Sequence, residues 1–506
     1  MILLVNPRST RPRNRRFPLS IMAIGAALPE GTSWEIVDGN RPDVDVFTEI
    51  DGHIRTRAET DDPVRAVAMT VMPGPQLVSA VPLSKRLKTR WPHIPIIWGG
   101  YFPSLYPAPV LNAEYVDWAV RGQGEHTFIE LLDVLEGTRD PRTVAGLAFR
   151  DGDEPVINRE RPWIAPDELP RPPYHRIPVD DYLHPTFLGS RSGVYQASIG
   201  CPYGCKFCGV ISVFGSREKV QSPECTARDL EYLVHNHGMN AVHFYDNNFF
   251  VREDHALELC ERITPLDLAW WCEARIDALL RFSDDTWRAL KRAGLKMVFL
   301  GAESGSDEVL RRMNKKLTTA QTLEIAARSR EHGIIPEFSF VLGDPDEPER
   351  ELENTLRFIR KLKQVNPAME LITYFYTPTP QRRGTYGDVD ALAGTPDTLE
   401  EWTEPEWVAW MTHENPRVPW LTPEMKARLD NFTLVLSSRY PSVHDYRTRA
   451  WGKVLGRLLA VPRWRRGDFR DPHLLRAVRR WARTDDDRQA YGHLRPGKPA
   501  AIQPAV

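Results

Sequence analysis

The chain has 506 residues, 42% hydrophobic and 26% charged, with a formal net charge of −2. That length predicts about three domains and the composition is that of a globular protein; the balanced charge gives no global field to gather nucleic acid or a membrane. The opening MILLVNP is too short for a signal peptide, and no run approaches the ~20 apolar residues that span a bilayer. Three of the six cysteines fall within eight residues instead of being spread for pairing. The expectation is a cytoplasmic protein with no transmembrane segment.

Residues 1–145 alternate strand and helix patterns. Strands are expected at Ile2–Asn6, Trp34–Val37, Ala66–Val71, Ile94–Trp98 and Val116–Val120, with helices at Ser20–Leu28, Leu77–Thr89 and Thr127–Glu136. This alternation predicts an open, mostly parallel sheet, whose ligands sit at the carboxyl ends of its strands. Those ends carry VMPGPQ (71–76), GGYFPS (99–104) and RGQGE (121–125). Residues 146–190, rich in proline and charge, are expected to be a linker. A second array spans 191–395, with strands at Val194–Ile199, Ala241–Tyr245, Leu268–Cys272, Lys296–Leu300, Pro336–Leu342 and Leu371–Tyr376. Helical stretches alternate with them, at Cys225–His235, Asp284–Ala293, Ala320–His332 and Glu349–Leu362. About six such units predict a full or partial (β/α) barrel with its site at the strand carboxyl ends. Residues 396–506 form a helical, tryptophan- and arginine-rich tail, disordered over 495–506.

Just past the first strand of the second array lies IGCPYGCKFCGV (199–210), with spacing CxxxCxxC. Soft thiolates on a short loop suit zinc or iron–sulfur. A closed zinc site needs a fourth ligand, for which Cys225, Cys260 and Cys272 are the available cysteines. A four-iron cluster held by Cys201, Cys205 and Cys208 alone leaves one iron open to a small-molecule chelate.

CxxxCxxC with the aromatic Phe207 before its last cysteine resembles the signature of the radical S-adenosylmethionine (SAM) enzymes. The resemblance implies a [4Fe-4S] cluster whose open iron chelates SAM, and reductive cleavage of SAM to a 5′-deoxyadenosyl radical that takes hydrogen from a substrate. It also implies an electron donor such as flavodoxin or ferredoxin. FYDNNF (244–249), WCEARID (271–277), GAESGSDEVLRRMNK (301–315) and FSFVLGDPDE (338–347) resemble the family's later strand ends. With Phe207 they make Asp246, Arg275, Glu303, Ser304 and Gly343 the candidates for holding SAM.

IIWGGYFPSLYP (96–107) and VDWAVRGQGEHTFIELL (116–132) resemble the cobalamin-binding domain that precedes some radical SAM modules, with Ser104 for the usual threonine and Gln123 for the first glutamate. This implies a doubly wound, Rossmann-like cobalamin domain over 1–145. Gly99, Gly100, Ser104, Gly122, Gly124 and Glu125 would cradle the corrin, and Met72 and Gln76 would lie near its lower face. The D-x-H-x-x-G motif that places a histidine under cobalt is lacking. Asp51-Gly52-His53 is the nearest match and is expected on a surface loop. In the tail, HLLRAVRRWAR (473–483) reads as a basic helix that could meet an anionic surface; the favoured expectation is a solvated helix with Trp481 packed on the domain.

The resemblance is to the cobalamin-dependent radical SAM group that includes carbon methyltransferases and the anaerobic magnesium-protoporphyrin monomethyl ester cyclase. It implies methyl transfer to an unactivated carbon of a small molecule, with no nucleic-acid partner. The alternatives are radical oxidation or cyclisation without methyl gain, and a non-catalytic cobalamin sensor.

Overall fold

The structure, a computed structural model, describes residues 1–10, 14–378, 394–413, 416, 418–445 and 448–483; the disorder expected at 495–506 lies outside the described residues. The first sheet has seven strands: β1 (Ile2–Asn6), β2 (Trp34–Asp38), β3 (Ala66–Thr70), β4 (Ile96–Gly99), β5 (Trp118–Val120), β6 (Leu147–Asp151) and β7 (Glu154–Ile157). Their order is β2-β1-β3-β4-β5-β6-β7, and β1–β5 run parallel. β1 and β3 are buried throughout, as parallel strands covered on both faces must be. Successive residues of β1 face opposite cores. Leu3 and Val5 pack with the helices α2 (Val46–Arg57) and α3 (Pro75–Arg90), while Ile2 and Leu4 pack with α1 (Leu19–Ala27) and α6 (Glu125–Leu135). Two short helices, α4 (Tyr101–Leu105) and α5 (Pro107–Asn112), follow β4.

Two expectations for this region are corrected. The linker expected from residue 146 begins with β6 and β7, an antiparallel hairpin on the edge of the first sheet; the Asp-Gly-Asp turn at 151–153, with Gly152 at φ +63°, is a hairpin signal that the surrounding prolines obscured. Asp51, Gly52 and His53 lie within α2, not on a loop. Asp45 caps that helix by accepting from the Thr48 amide at 2.8 Å, and Asp51 pairs with Arg55.

The second sheet holds six parallel strands in the order β15-β14-β13-β12-β11-β8, and its two end strands make an open, partial barrel. They are β8 (Ser192–Tyr195), β11 (Ala241–Phe244), β12 (Ala269–Ala274), β13 (Leu295–Glu303), β14 (Ile335–Leu342) and β15 (Glu370–Phe375). Nine helices accompany them: α7 (Val179–Tyr182), α8 (Gly209–Phe214), α9 (Pro223–His237), α10 (Glu253–Ile263), α11 (Ile276–Leu279), α12 (Asp284–Arg292), α13 (Asp307–Arg312), α14 (Thr319–Glu331) and α15 (Pro348–Val365). The single strand expected at Val194–Ile199 is two. Its second half, β9 (Ser198–Gly200), leaves the barrel and pairs antiparallel with β10 (Glu218–Val220). The cysteine loop is strung between these two strands. Gly200, at φ +83°, is required there, because a Cβ would stand 2.3 Å from the Arg217 carbonyl oxygen.

The C-terminal helices are α16 (Leu399–Trp402), α17 (Pro405–Thr412), α18 (Pro423–Arg439), α19 (Ala450–Arg466) and α20 (His473–Ala482). They strap both modules instead of forming a separate region. Leu399 and Trp402 complete the core of the first sheet, where Trp402 meets Tyr106 at 4.5 Å and Phe102 at 5.5 Å. Glu400 pairs with Lys85 and accepts from Tyr115. Phe432, Val435, Trp464 and Phe469 join the core of the barrel. Trp481 is not packed on the domain: it is 72% exposed. Among the described residues no helix is long and apolar enough to cross a membrane.

Trp402 is fully buried although 285 residues or more separate its neighbours from the α16 contacts they make. Trp402→Ala is expected to cost about 3–5 kcal/mol, read as a lower urea midpoint for unfolding of the first module. An unchanged midpoint contradicts the strap.

Candidate functional site

The cysteine loop is fastened at several points to one stretch of chain, residues 313–315. The Lys206 amide donates to the Met313 carbonyl at 3.0 Å, and the Asn314 side-chain amide donates to the Gly204 carbonyl at 2.6 Å. Two buried cations stand behind the loop. Arg275, just past β12, donates to Cys205 Sγ at 3.1 Å, to Asp277 at 2.9 Å and to the Lys315 carbonyl at 2.5 Å, with its guanidinium 3.8 Å from the Tyr203 ring. Lys315 pairs with Glu303 at 2.5 Å and lies 5.8 Å from the Phe207 ring. Burial alone would lower Lys315, but Glu303 and Cys205 outweigh it and hold its pKa above the usual value.

None of the six cysteines is in a disulfide. Cys201, Cys205 and Cys208 lie in one another's field; burial pushes the Cys201 thiol up and the Cys208 thiol up to about 11. Those thiols need a metal, or a cation such as Arg275, to become thiolates. Cys225, Cys260 and Cys272 are on α9, α10 and β12 and take no part in the loop. Among the described residues no three His, Cys, Asp or Glu side chains converge as a ready site for a single metal ion. Three thiols on one loop, backed by two cations, fit a multinuclear, anionic group with one open corner better than a closed zinc site.

The other candidates for SAM ring this loop. Asp246, buried past the end of β11, accepts from the Ala197 amide at 3.1 Å, and burial pushes its carboxyl up to about 7. Glu303 ends β13 in the left-handed region at φ +60°, at a register shift in the sheet. Such backbone strain in a buried, charged residue marks a site. Gly301 makes room for it, since a Cβ there would stand 2.1 Å from Glu303 Oε1. Ser304 is buried and accepts from the Ser306 amide at 3.1 Å. Gly343 has φ +80°, but the space beside it is taken: its Cβ would lie 2.5 Å from Leu421. The close approach expected there for a ligand is made instead by the C-terminal segment.

In the first sheet, the strand-end turns are tied to one another. Ser104 Oγ donates to the Gly100 carbonyl at 2.7 Å and accepts from the Gly122 amide at 2.9 Å, so one hydroxyl joins the turn after β4 to the turn after β5. Gly100 (φ +95°) and Gly122 (φ +71°) both need left-handed freedom. Gly99 is half-buried, with nothing nearer than 3.8 Å where a Cβ would point, whereas Gly124 packs against Ile24 and Val120. Glu125 opens α6, and burial pushes its carboxyl above the ordinary range. Met72 is 47% exposed. Gln76 is not: its side chain accepts from the Met72 amide at 2.8 Å and donates to Asn6 at 2.6 Å and to the Pro7 carbonyl at 3.2 Å. Its bonding is spent bracing the turn, and so is that of Ser104.

The two sets of turns meet. Tyr101, following the Gly99-Gly100 pair, is half-buried in α4, which packs beside α8; its surroundings, and then Cys208, raise its phenol. Trp163 bridges the gap. It lies 3.5 Å from where a Gly122 Cβ would sit and 4.7 Å, between ring centroids, from Phe214 at the end of α8. Gln123 holds this segment by exchanging two hydrogen bonds with Ile164.

Sequence reasoning missed a third group, carried on the barrel strands and their cover. His243 stacks on Trp271 at 3.8 Å and 3°, and lies 4.4 Å from Tyr245. Burial, then Arg16 and His444, push the imidazole down to about 3, so it is neutral. Glu273 is pushed up to about 7 by burial and by Asp246 and Glu337. Glu337 is buried, with one oxygen 3.6 Å from His444 and the other without a partner. The available signal was the period of two: His243 with Tyr245, Trp271 with Glu273, and Glu337 with Ser339 are alternate residues of their strands.

Comparison with known proteins agrees with this division. The model of the B12 binding domain matches residues 12–132, and that of the Radical SAM superfamily matches residues 195–359. An uncharacterized methyltransferase of Pyrococcus horikoshii is 28% identical over 349 residues, covering 68% of this chain and 73% of its own. The anaerobic magnesium-protoporphyrin IX monomethyl ester cyclase of Synechocystis is 26% identical over 380 residues, 72% of each chain. In fold, the chain is similar to the radical SAM methyltransferase TsrM of Kitasatospora setae, solved with tryptophan substrate and a SAM analog: the TM-score is 0.63 at 19% identity, over 95% of this chain and 99% of that one. The chain therefore joins a B12-binding domain to a radical SAM domain.

Proposed function

We propose that the protein methylates an unactivated carbon of a small molecule held in the barrel, beside the His243–Trp271 stack. The observation that carries this reading is the meeting of the first-sheet glycine turns with the cysteine loop, α4 packed beside α8 and Trp163 between Gly122 and Phe214. A methyl donor and a radical source are useful together only when both reach one substrate carbon.

Cys201, Cys205 and Cys208 would hold three irons of a [4Fe-4S] cluster, with the fourth left for the amino and carboxylate groups of SAM. When bound, these groups supply a 5′-deoxyadenosyl radical, and methylcobalamin supplies the methyl group. Phe207, Asp246, Glu303 and Ser304 would line the SAM side. Arg275 donates to a ligand sulfur and so favours the more negative, reduced cluster. Lys315 holds Glu303 in place. On the cobalamin side, Gly99, Gly100 and Gly122 would let the backbone approach the corrin, with Met72 exposed beneath it. Gln76, Ser104, Gly124 and Glu125 would shape those turns from behind. The half-buried aromatic lining would limit water around the substrate, which protects a carbon radical from side reactions. A one-electron donor such as flavodoxin or ferredoxin would start the cycle.

The likeness to the anaerobic cyclase favours a second reading, oxidation or cyclisation on the same radical without methyl gain. Anaerobic reconstitution with cluster and cobalamin, followed by reductant, SAM and substrate, is expected to release 5′-deoxyadenosine and a product heavier by one methyl group. A product that has lost hydrogens or gained oxygen, without methyl, replaces the first reading by the second. No deoxyadenosine from an intact cluster with its true substrate sinks both and leaves a cobalamin-binding sensor.

Arg275→Met keeps most of the side-chain bulk and removes the charged donor to Cys205. The expected outcome is a lower cluster reduction potential and slower SAM cleavage with the cluster's absorption retained. An unchanged potential in an EPR-monitored titration contradicts the role given to Arg275.

A further inference from the structure

The C-terminal helices α19 and α20 invert the usual arrangement of a packed helix. On α19 the inward residues are Gly452, Gly456, Ala460 and Trp464, spaced every four residues and buried. The small residues let neighbouring helices come close. A Cβ on Gly452 would stand 2.1 Å from that of Ala482 on α20, and one on Gly456 would stand 3.7 Å from Ser438 on α18. Four large apolar side chains of α19 are on the outside. Trp451, Val454, Leu455 and Leu458 are all exposed and follow the i, i+3, i+4, i+7 spacing of a single stripe. On α20, Leu475 and Ala482 are buried while Leu474 and Trp481 are exposed. The junction at Gly452 and Ala482, closed by the Arg449 amide on the Ala482 carbonyl at 3.0 Å, brings together the chain segments that carry the exposed Trp451 and Trp481.

The charge here is as one-sided as the hydrophobicity. Residues 450–483 carry ten lysines and arginines against two aspartates, in a chain whose net charge is −2. Those aspartates, Asp468 and Asp471, pair with Arg463 and Arg476 at the helix ends. Neither α19 nor α20 contains an acidic residue.

We propose that α19 and α20 form a face that docks the enzyme on an anionic lipid bilayer. The aliphatic stripe enters the boundary between headgroups and acyl chains, the two tryptophans take the interfacial position suited to their polar N–H and apolar rings, and the arginines meet headgroup phosphates. Two other occupants fit less well. A second copy would bring two faces of strong positive charge together. A nucleic acid would satisfy the arginines but gives Val454, Leu455, Leu458 and Leu474 nothing to bury against, since its single strands are recognised through aromatic stacking. Docking of this kind needs no spanning helix.

The test is co-sedimentation of the full, cofactor-reconstituted chain with vesicles of phosphatidylcholine alone or with added phosphatidylglycerol. Partition into the anionic vesicles is expected to be at least about tenfold stronger and to weaken with salt. The double variant L458E/W481E is expected to lose that binding, and R457Q/R480Q to weaken it by about fivefold per arginine, both with the cluster absorption and deoxyadenosine formation of the unaltered chain. Absence of binding, equal binding to both vesicles, or binding that survives L458E/W481E overturns the proposal. Capture of polyuridylate without vesicle binding, or a solution dimer dissolved by L458E, overturns it in favour of a nucleic acid or a second copy.

Discussion

Arg275 and Lys315 are cations buried beside Cys205, and a buried cation must be met by opposite charge close at hand. Asp277 and Glu303 answer part of that demand, and the cysteine loop answers the rest. The demand explains features that look unrelated along the chain. Glu303 adopts left-handed backbone at the end of a long strand because its carboxylate must reach Lys315. Gly301 lacks a side chain because the pair folds over it. Residues 313–315 grip the loop from below because the same short stretch supplies Lys315. The loop's position is thus set by electrostatics on one side and by the β9–β10 ribbon on the other.

From that fixed loop the two modules are brought into register. The first sheet presents its glycine turns as one unit, because Ser104 couples Gly100 to Gly122. Tyr182 binds Asp38 at 2.7 Å across the modules, and Arg16 binds Tyr245 at 2.8 Å. The strap α16–α17 then closes over the first sheet, with Thr412 3.2 Å from where a Gly74 Cβ would lie. Leu421 closes over the barrel at Gly343. A site assembled from two sheets and a tail needs such cross-bracing to hold reacting groups within catalytic tolerance.

The parallel strands were legible in the sequence because strands buried on both faces are continuous apolar runs, as in Ile2–Asn6 and Ala66–Thr70. The cysteines were legible because a loop ligand set has fixed spacing. What escaped was whatever depended on partners far along the chain. The β6–β7 hairpin hides among prolines. Trp402 looks like any tail tryptophan until Phe102 and Tyr106 are beside it. Gln76 and Ser104 are polar residues at strand ends, which reads equally well as ligand contact or as bracing, and bracing is what their hydrogen bonds serve. His243, Trp271, Glu273 and Glu337 sit on ordinary strand positions, and only the folded sheet brings them together. Trp481 was misjudged because an apolar residue on a basic helix is usually packed; here the helix turns Leu475 and Ala482 inward instead.

These features bring the glycine turns of the first sheet up to the cysteine loop and leave an apolar, basic face on the tail. The central claim is that the glycine turns of the B12-binding domain and the cysteine loop form a single site. It is tested most directly by EPR of the reconstituted protein holding cob(II)alamin with its cluster reduced. The account predicts a cob(II)alamin signal broadened or split by the neighbouring cluster spin, and a return to the isolated signal in Cys205→Ala. A cob(II)alamin spectrum that is the same with and without the reduced cluster would contradict it.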